Sequence, residues 1–251
     1  MKKIFYCLLL LNFLSVLCHA QGTTDSSALV HLLTDMSEKY KTAGMLGYDI
    51  KYRFTSETDP TKTFDSLQGR IEMDSLRYWC KLDNTETMSN DKYTVILFKE
   101  DKLMYLSKAS LLNRSVDPLQ ILQRLLTTLG NASYNQTVNK QYKTVVIRFP
   151  QSSSCKQIEY TVDIGTGYLS KMVYVVPTAQ LVDQSARQSF DAGKEGYETY
   201  ARVEAVFSNY KKIQQISSKF NEQVFFSKQG NEFVPSSSFK DYKIFVASPN
   251  L

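Results

Sequence analysis

Four carboxylates stand close together in the sequence and are the first candidates for acid–base chemistry. They are Glu72, Asp74, Asp83 and Glu86. Two carboxylates that flank a glycosidic bond act as acid and as nucleophile or base, which is the chemistry of glycoside hydrolysis. Acidic side chains beside strand turns are mostly solvated. We therefore expect these four to be surface groups and not a catalytic pair.

Nucleophilic, metal and cofactor chemistry have fewer candidates still. Once a predicted leader is removed, His31 is the one histidine of the chain, and it has no partner at the spacing of a catalytic triad or a metal site. Two cysteines, Cys80 and Cys155, complete a set that is too small for an ordinary zinc site. No glycine-rich phosphate loop is present. The sequence therefore predicts no enzyme, no metal and no cofactor, and places His31 on the surface.

The compartment follows from the first residues of the chain. Residues 1–20 have the pattern of a signal peptide, with a positive start at Lys2 and Lys3, an apolar run and small residues that end at Ala20. We expect residues 21–251 to form one exported domain, periplasmic as first choice and secreted as second. The formal charge falls from +5 to +3 when the two lysines leave, which argues against a nucleic-acid partner.

The two remaining cysteines bear on the compartment as well. In an exported protein a pair of cysteines suggests one disulfide. Two buried free thiols, which behave as small apolar side chains, are the alternative. The sequence leaves both open for Cys80 and Cys155.

The elements that would position any site are mostly strands. Alternation of apolar and polar residues predicts strands over 47–54, 67–74, 76–82, 157–164 and 168–176, and apolar runs or closing segments predict others over 93–98, 103–106, 143–149, 200–210, 218–227 and 242–247. The polar run 84–88 is interpreted as a turn or binding loop, and 177–196 as a long excursion. The runs 93–98 and 103–106 are apolar on both faces, so the sheet must be covered on both sides.

Two amphipathic helices are expected to supply that cover. The first spans 26–42 with Leu29, Leu32, Leu33, Met36 and Tyr40 on one stripe, and Gly44 ends it. The second spans 115–129. The predicted fold class is α+β, with a curled antiparallel sheet of about ten or eleven strands, a half-barrel, covered by the two helices.

The order of these elements resembles that of a known family. The chain resembles the LolA/LolB-like periplasmic lipoprotein carriers in the order of its elements. These are a signal peptide, an opening helix, the meander GRIEMDSLRYWCK (residues 69–81), a second helix and the hairpin VDIGTGYLSKMVY (162–174). The resemblance implies an eleven-stranded half-barrel, closed by a helical lid, that holds acyl chains. The arginine that latches the lid in that family corresponds to Arg53, Arg70 or Arg77, and the sequence leaves the choice open. The triplets at 65–67 and 74–76 look like those that Bacteroidetes-type bacteria O-glycosylate in exported proteins.

Three functions are compared. The preferred one is a non-enzymatic carrier that buries a lipid or an acylated protein's chain between sheet and helices; in the alternative interpretation the same apolar residues pack on each other as a dry core. The second function is a structural or interaction subunit of an envelope assembly, which docks through a strand edge or the 177–196 excursion. An enzyme is the last. The residues predicted to line the carrier's ligand site are Leu32, Leu33, Met36, Tyr40, Tyr52, Trp79, Phe98, Met104, Leu122, Leu125 and Leu126. An enclosed apolar cavity favours the carrier, and an exposed apolar patch favours the subunit.

Overall fold

An amphipathic helix opens the part of the chain that the structure describes. The computed structural model describes residues 27–74, 77–109, 132–149, 154–181, 193, 197–215, 218–248 and 251. Helix α1 (Ser27–Thr42) buries the apolar stripe that its spacing predicts. It stops before Gly44, whose φ of +68° is a conformation that glycine adopts without strain. The predicted helix over 115–129 lies outside the described residues.

Strands make up most of the rest of the described chain. They are β1 (Leu46–Ser56), β2 (Thr63–Asp74), β3 (Arg77–Leu82), β4 (Thr85–Ser89), β5 (Tyr93–Phe98), β6 (Leu103–Lys108), β7 (Ser133–Val138), β8 (Tyr142–Arg148), β9 (Gln157–Asp163), β10 (Leu169–Pro177), β11 (Tyr200–Lys212), β12 (Phe226–Gln229), β13 (Glu232–Pro235) and β14 (Lys243–Val246). Short 3-10 helices span Thr178–Leu181, Ser218–Phe220, Glu222–Val224 and Ser237–Phe239. Within these ranges no helix is long and apolar enough to cross a bilayer.

Twelve of the strands form one curled sheet that does not close on itself. Their order is β14-β6-β5-β4-β3-β2-β1-β11-β10-β9-β8-β7. Neighbours are antiparallel with one exception, the parallel pair of β14 and β6. The hairpin β12–β13 stands apart. The predicted large curled antiparallel sheet is confirmed, with twelve strands in place of ten or eleven.

The side of the sheet that α1 covers is called the helix face. Leu29, Leu33 and Met36 of α1 are in one buried cluster with Val145 of β8 and Tyr160 of β9. Side chains alternate between the two faces along each strand, and paired residues of neighbouring strands point to the same face. The helix face can therefore be followed from strand to strand across the sheet. The other side of the sheet is called the opposite face.

The opposite face of β3–β6 is covered by the C-terminal part of the chain. Side chains there are fully buried in both β5 and β6, including Val95, Leu97, Met104 and Leu106. Phe220, Phe225 and Phe226 pack on them. The need for a cover was predicted from the doubly apolar strands. On this face the cover is a segment of 3-10 turns and a hairpin, and not a helix.

Two predictions about elements were wrong, and the strand β7 was missed. The polar run 84–88 is not a turn, because β4 pairs on both sides, with β3 and with β5. Residues 218–227 are not one strand but two 3-10 turns that lead into β12. The polar strand β7 was not predicted; it forms an edge of the sheet, where one side has no strand partner and polar residues are tolerated.

Candidate functional site

An apolar cavity of about 240 Å³ lies between α1 and the helix face of the sheet. It is lined by Tyr40, Tyr48, Ile50, Tyr52, Ile71, Met73, Tyr160, Leu169, Met172, Tyr174 and Phe207. None of these residues carries a charge at neutral pH. The lining reaches from β2 to β9, four strand positions apart, which would be about 19 Å in a flat sheet. The curl of the sheet is what brings the two walls together.

Strand alternation explains why these side chains converge. Tyr48, Ile50 and Tyr52 occupy every second position of β1 and so share one face. Pairing with β2 sets Ile71 beside Tyr48, and pairing with β11 sets Phe207 beside Ile50. The cavity wall is therefore a direct product of the sheet's register.

A cluster of tyrosines lies beside the cavity, and two of its members, Tyr40 and Tyr48, line it. The rings of Tyr168 and Tyr210 stack at 4.5 Å between centroids, and those of Tyr48 and Tyr210 at 4.9 Å. The Tyr210 hydroxyl donates to the Leu169 carbonyl at 2.7 Å, so the Tyr40 hydroxyl is the donor in its 2.8 Å bond to Tyr210. Burial raises the pKa of Tyr40 to about 12. The cluster fixes the last turns of α1 to the sheet.

Methionines supply the adaptable part of the lining. Met73 on β2 and Met172 on β10 are half-buried, and the Tyr174 hydroxyl donates to the Met172 sulfur at 2.8 Å. Unbranched thioether side chains adjust to irregular shapes more easily than branched ones. Two of the eleven lining side chains are therefore of the adaptable kind.

A second hollow of about 440 Å³ lies further along the helix face. It is lined by Phe54, Phe64, Asp65, Leu67, Thr178, Leu181, Tyr197 and Ala201. Tyr52 of the cavity and Phe54 of this hollow stack with centroids 6.5 Å apart. This aromatic pair thus has one member in each lining.

The predicted site residues on the helix side divide into three groups. Tyr40 and Tyr52 line the cavity. Leu32, Leu33 and Met36 are buried beside it, in the core between α1 and β7–β10. Leu122, Leu125 and Leu126 lie outside the described residues.

Three other predicted site residues do not reach the cavity. Trp79 and Met104 are on the opposite face, buried under the C-terminal segment. Phe98 is on the helix face of β5 but is 37% exposed and outside the lining. Size and apolarity alone selected Trp79, whereas alternation in β3 already set it with Arg77 and Lys81, away from Tyr78.

The three arginines that the resemblance suggested are all paired on the opposite face. Arg53 pairs with Glu204 at 2.9 Å, Arg70 with Asp49 at 2.8 Å and Arg77 with Asp91 at 2.8 Å. Arg53 is adjacent to Tyr52 in β1, Arg70 to Ile71 in β2 and Arg77 to Tyr78 in β3. Adjacent residues of a strand point to opposite faces, so all three arginines point away from the cavity. None of the three is placed to hold α1 to the sheet.

Two of the four carboxylates that opened the sequence analysis have structural partners, and Asp83 is exposed as expected. Glu72 is buried and pairs with Lys219 at 2.7 Å, and Glu86 accepts from the Trp79 indole at 2.8 Å. Lys99 also pairs with Glu86. The expectation that these two are solvated was wrong, because they flank Trp79 under the C-terminal segment. Each is matched by a cation, so neither is free to act as acid or base.

The two cysteine thiols are at least partly buried. Cys80 and Cys155 are free thiols, and burial raises the pKa of each to about 11. A thiol with so high a pKa is a poor nucleophile at neutral pH. His31 is exposed on α1, as predicted. Over the described residues no group of three histidines, cysteines or acids is arranged to hold a metal ion.

Most of the cavity's lining was not predicted as site. The missed residues are Tyr48, Ile50, Ile71, Met73, Tyr160, Leu169, Met172, Tyr174 and Phe207. Alternation identified the face of the wall residues in β1, β2 and β9 correctly. It could not tell which strands become neighbours, and the crossing of β1 onto β11 is what builds the wall.

Comparison with known proteins gives similarity at the level of solved structures. No family model matches the chain, and the search of curated proteins found no match. An uncharacterized conserved protein from Thermus thermophilus is similar at 7% identity, over 88% of this chain and 99% of that one, with a TM-score of 0.46. A LolA superfamily protein from Nitrosomonas europaea is similar at 7% identity, over 78% and 98%, with a TM-score of 0.35.

A domain described as outer membrane lipoprotein-sorting, from Vibrio parahaemolyticus, is similar at 9% identity over 78% of this chain and 97% of that one. Its TM-score is 0.34. The structural neighbours thus include the family that the order of elements resembles. All three TM-scores lie below 0.5.

Proposed function

We propose that the protein is a non-enzymatic binding protein or carrier that holds an apolar ligand in the cavity beneath α1. The observation that carries the proposal is the lining itself, in which eleven uncharged residues from α1 and five strands surround about 240 Å³. Ligand sites are typically concave and mainly apolar, with few polar groups. A lipid, or the acyl chain of a modified protein, is the class of ligand that such a wall fits.

Apolar burial is sufficient for useful affinity. Each methylene removed from water contributes about 0.8 kcal/mol, so about ten methylenes contribute about 8 kcal/mol before the cost of association. The exposed His31, the paired carboxylates and the two thiols of raised pKa support a role without catalysis. Leu32, Leu33 and Met36 are proposed to support the wall from behind, and Tyr40 and Tyr52 to contact the ligand.

We also propose that this binding takes place outside the cytoplasm. The signal-peptide pattern of residues 1–20 supports export, with the periplasm as first choice and secretion as second. The mature chain would then begin at Gln21.

The test fills the cavity with a larger side chain. Met172 lies between Tyr160 and Ala205 in the register of the helix face, so Met172→Trp should occupy the cavity. Val206→Trp is the matched control, because Val206 is 39% exposed on the opposite face of β11. We expect wild type and control to bind the neutral probe N-phenyl-1-naphthylamine equally, measured by fluorescence, and Met172→Trp to bind at least about tenfold more weakly.

Equal probe binding by all three proteins would contradict the proposal, as would no binding by the wild type. Thermal unfolding of Met172→Trp followed by circular dichroism shows whether the variant is folded. A folded variant that has lost the probe locates the site in the cavity.

A second candidate, an interaction subunit of an envelope assembly, is favoured by one observation. Phe245 on the edge strand β14 is 53% exposed, and its ring lies 5.0 Å from that of Tyr105, which in turn lies 5.6 Å from Phe98. This aromatic strip is separate from the cavity. Absence of probe binding, together with loss of a partner protein on Phe245→Ser, would favour this function over the first.

A further inference from the structure

Two tyrosines in the cavity wall are buried without a hydrogen-bond partner. Tyr48 is 5% exposed and Tyr160 is 1% exposed, and both line the cavity. Among the described residues neither hydroxyl makes a hydrogen bond. Of the half-buried phenols of the wall, Tyr40 bonds to Tyr210 and Tyr174 to Met172, whereas Tyr52 makes no hydrogen bond to the described residues.

Such hydroxyls are unfavourable unless something binds them. A buried donor left without an acceptor destabilises a protein, and buried tyrosine hydroxyls usually have partners. A phenylalanine at either position would fill nearly the same space without this penalty. Phe207, another residue of the same wall, is an aromatic side chain without a hydroxyl. The two hydroxyls are therefore better explained by what the cavity holds than by the packing of the protein.

The electrostatics of the wall restrict the chemistry of that ligand. Burial raises the pKa of Tyr48 and of Tyr160, so both remain protonated donors at neutral pH. An anion in the cavity would lose its hydration without gaining a counter-ion, because no lining residue is cationic. A pure hydrocarbon would leave both donors unpartnered. A neutral molecule with acceptor oxygens meets both conditions.

We propose that the cavity selects a neutral apolar molecule that carries acceptor oxygens, such as the carbonyl groups of a carboxylic ester or amide, and that Tyr48 and Tyr160 are its hydrogen-bond donors. This inference rests on the proposed function, since it names the chemical class of the ligand in the same cavity. Tyr48 on β1 and Tyr160 on β9 stand on different walls, so each contacts a different part of the molecule. Apolar contacts supply affinity, and the two phenols supply specificity.

The test compares the binding of three probes of similar length to the full-length mature protein. They are undecane, methyl decanoate and decanoate, each measured by displacement of N-phenyl-1-naphthylamine. We expect the wild type to prefer the ester over the hydrocarbon and over the anion. Tyr48→Phe and Tyr160→Phe should each weaken ester binding about fivefold, the size expected for one neutral hydrogen bond, and leave undecane binding unchanged.

Two controls separate specificity from damage to the fold. Tyr93→Phe removes a hydroxyl from a tyrosine of the opposite face and should change neither ester nor undecane binding. Tyr160→Phe should melt at no lower temperature than the wild type in the absence of probe, because it removes an unpartnered hydroxyl.

The outcomes distinguish this inference from the proposed function. Undecane and ester that bind equally well to the wild type, or Phe variants that bind the ester like the wild type, would overturn the donor role and leave the apolar cavity standing. Failure of every probe to displace the dye, or failure of the dye to bind, would overturn both.

Discussion

At the scale of single residues, burial keeps the ionisable groups around the cavity neutral. It raises the pKa of Tyr40 to about 12 and that of Cys80 to about 11, and it raises the pKa of Tyr174 as well. Neutral phenols and thiols donate hydrogen bonds but act poorly as bases or nucleophiles at pH 7. The neutral wall therefore supports the proposal of a binding role without catalysis.

Glu198 shows the reverse behaviour, and its effect on stability should depend on pH. Its carboxylate accepts hydrogen bonds from the Ser56 hydroxyl at 2.5 Å, the Thr58 hydroxyl at 2.6 Å and the backbone N–H groups of Glu57 and Thr58. These bonds lower its pKa from 4.5 to about 2. A lowered pKa stabilises the fold above the unfolded value, and this contribution disappears as the pH falls from about 4.5 to about 2.

We expect Glu198→Gln to flatten that part of the pH profile. The free energy of unfolding, measured with urea, should fall more steeply between pH 4.5 and pH 2 for the wild type than for the variant. Glu232→Gln, at an exposed glutamate of β13, is the control and should follow the wild type. Parallel profiles for wild type and Glu198→Gln would show that the hydrogen-bonded carboxylate does not connect β1 to the segment before β11 in solution.

At the scale of elements, close approach of β2 to β3 depends on one glycine. A Cβ atom at Gly69 would lie 1.8 Å from the Lys81 carbonyl oxygen of β3. Gly69 faces the same side as Ile50, its partner in β1. The absence of a side chain at Gly69 therefore allows β2, which carries Ile71 and Met73 into the cavity wall, to pair closely with β3.

Gly69→Ala should destabilise the protein strongly. We expect a loss of about 3 kcal/mol in the free energy of unfolding, or failure to fold, because the backbone of β3 must move. Gly165→Ala is the matched control, since its Cβ would meet only Asp163 at an ordinary 3.4 Å. Urea denaturation of the two variants checks this, and a difference between them below about 0.5 kcal/mol would contradict the packing described for β2 and β3.

The elements that sequence predicted best are those with a strong period. α1, β1 and β9 have clean apolar spacing, and the structure places them close to their predicted bounds. β4 and β7 have polar sequences, and their pairing is decided by neighbouring strands and not by their own residues. Composition therefore gives no signal for them.

The cavity itself was beyond prediction for a different reason. Tyr52 and Tyr40 were selected from local patterns, but the wall needs β2, β1, β11, β10 and β9 to be consecutive in the sheet. That order depends on contacts between residues more than a hundred positions apart, such as Tyr52 with Ala205. A period of two fixes the face of a residue, whereas only the topology fixes its neighbours.

At the scale of the whole molecule, the cavity and the core under the C-terminal segment lie on different sides of one sheet. The cavity lies on the helix face of β1, β2 and β9–β11, while the largest aromatic core under the C-terminal segment lies on the opposite face of β3–β6. A substitution in the cavity wall can therefore alter ligand binding with little effect on that core. This separation is what makes the cavity testable by mutation.

The most direct test of the central claim is native mass spectrometry, with organic extraction, of the protein purified from the cells that naturally make it. We predict that the wild type and Val206→Trp carry one apolar molecule with neutral oxygen groups, and that folded Met172→Trp carries none. A wild type without any bound molecule, or the same molecule on all three proteins, would contradict a binding site beneath α1.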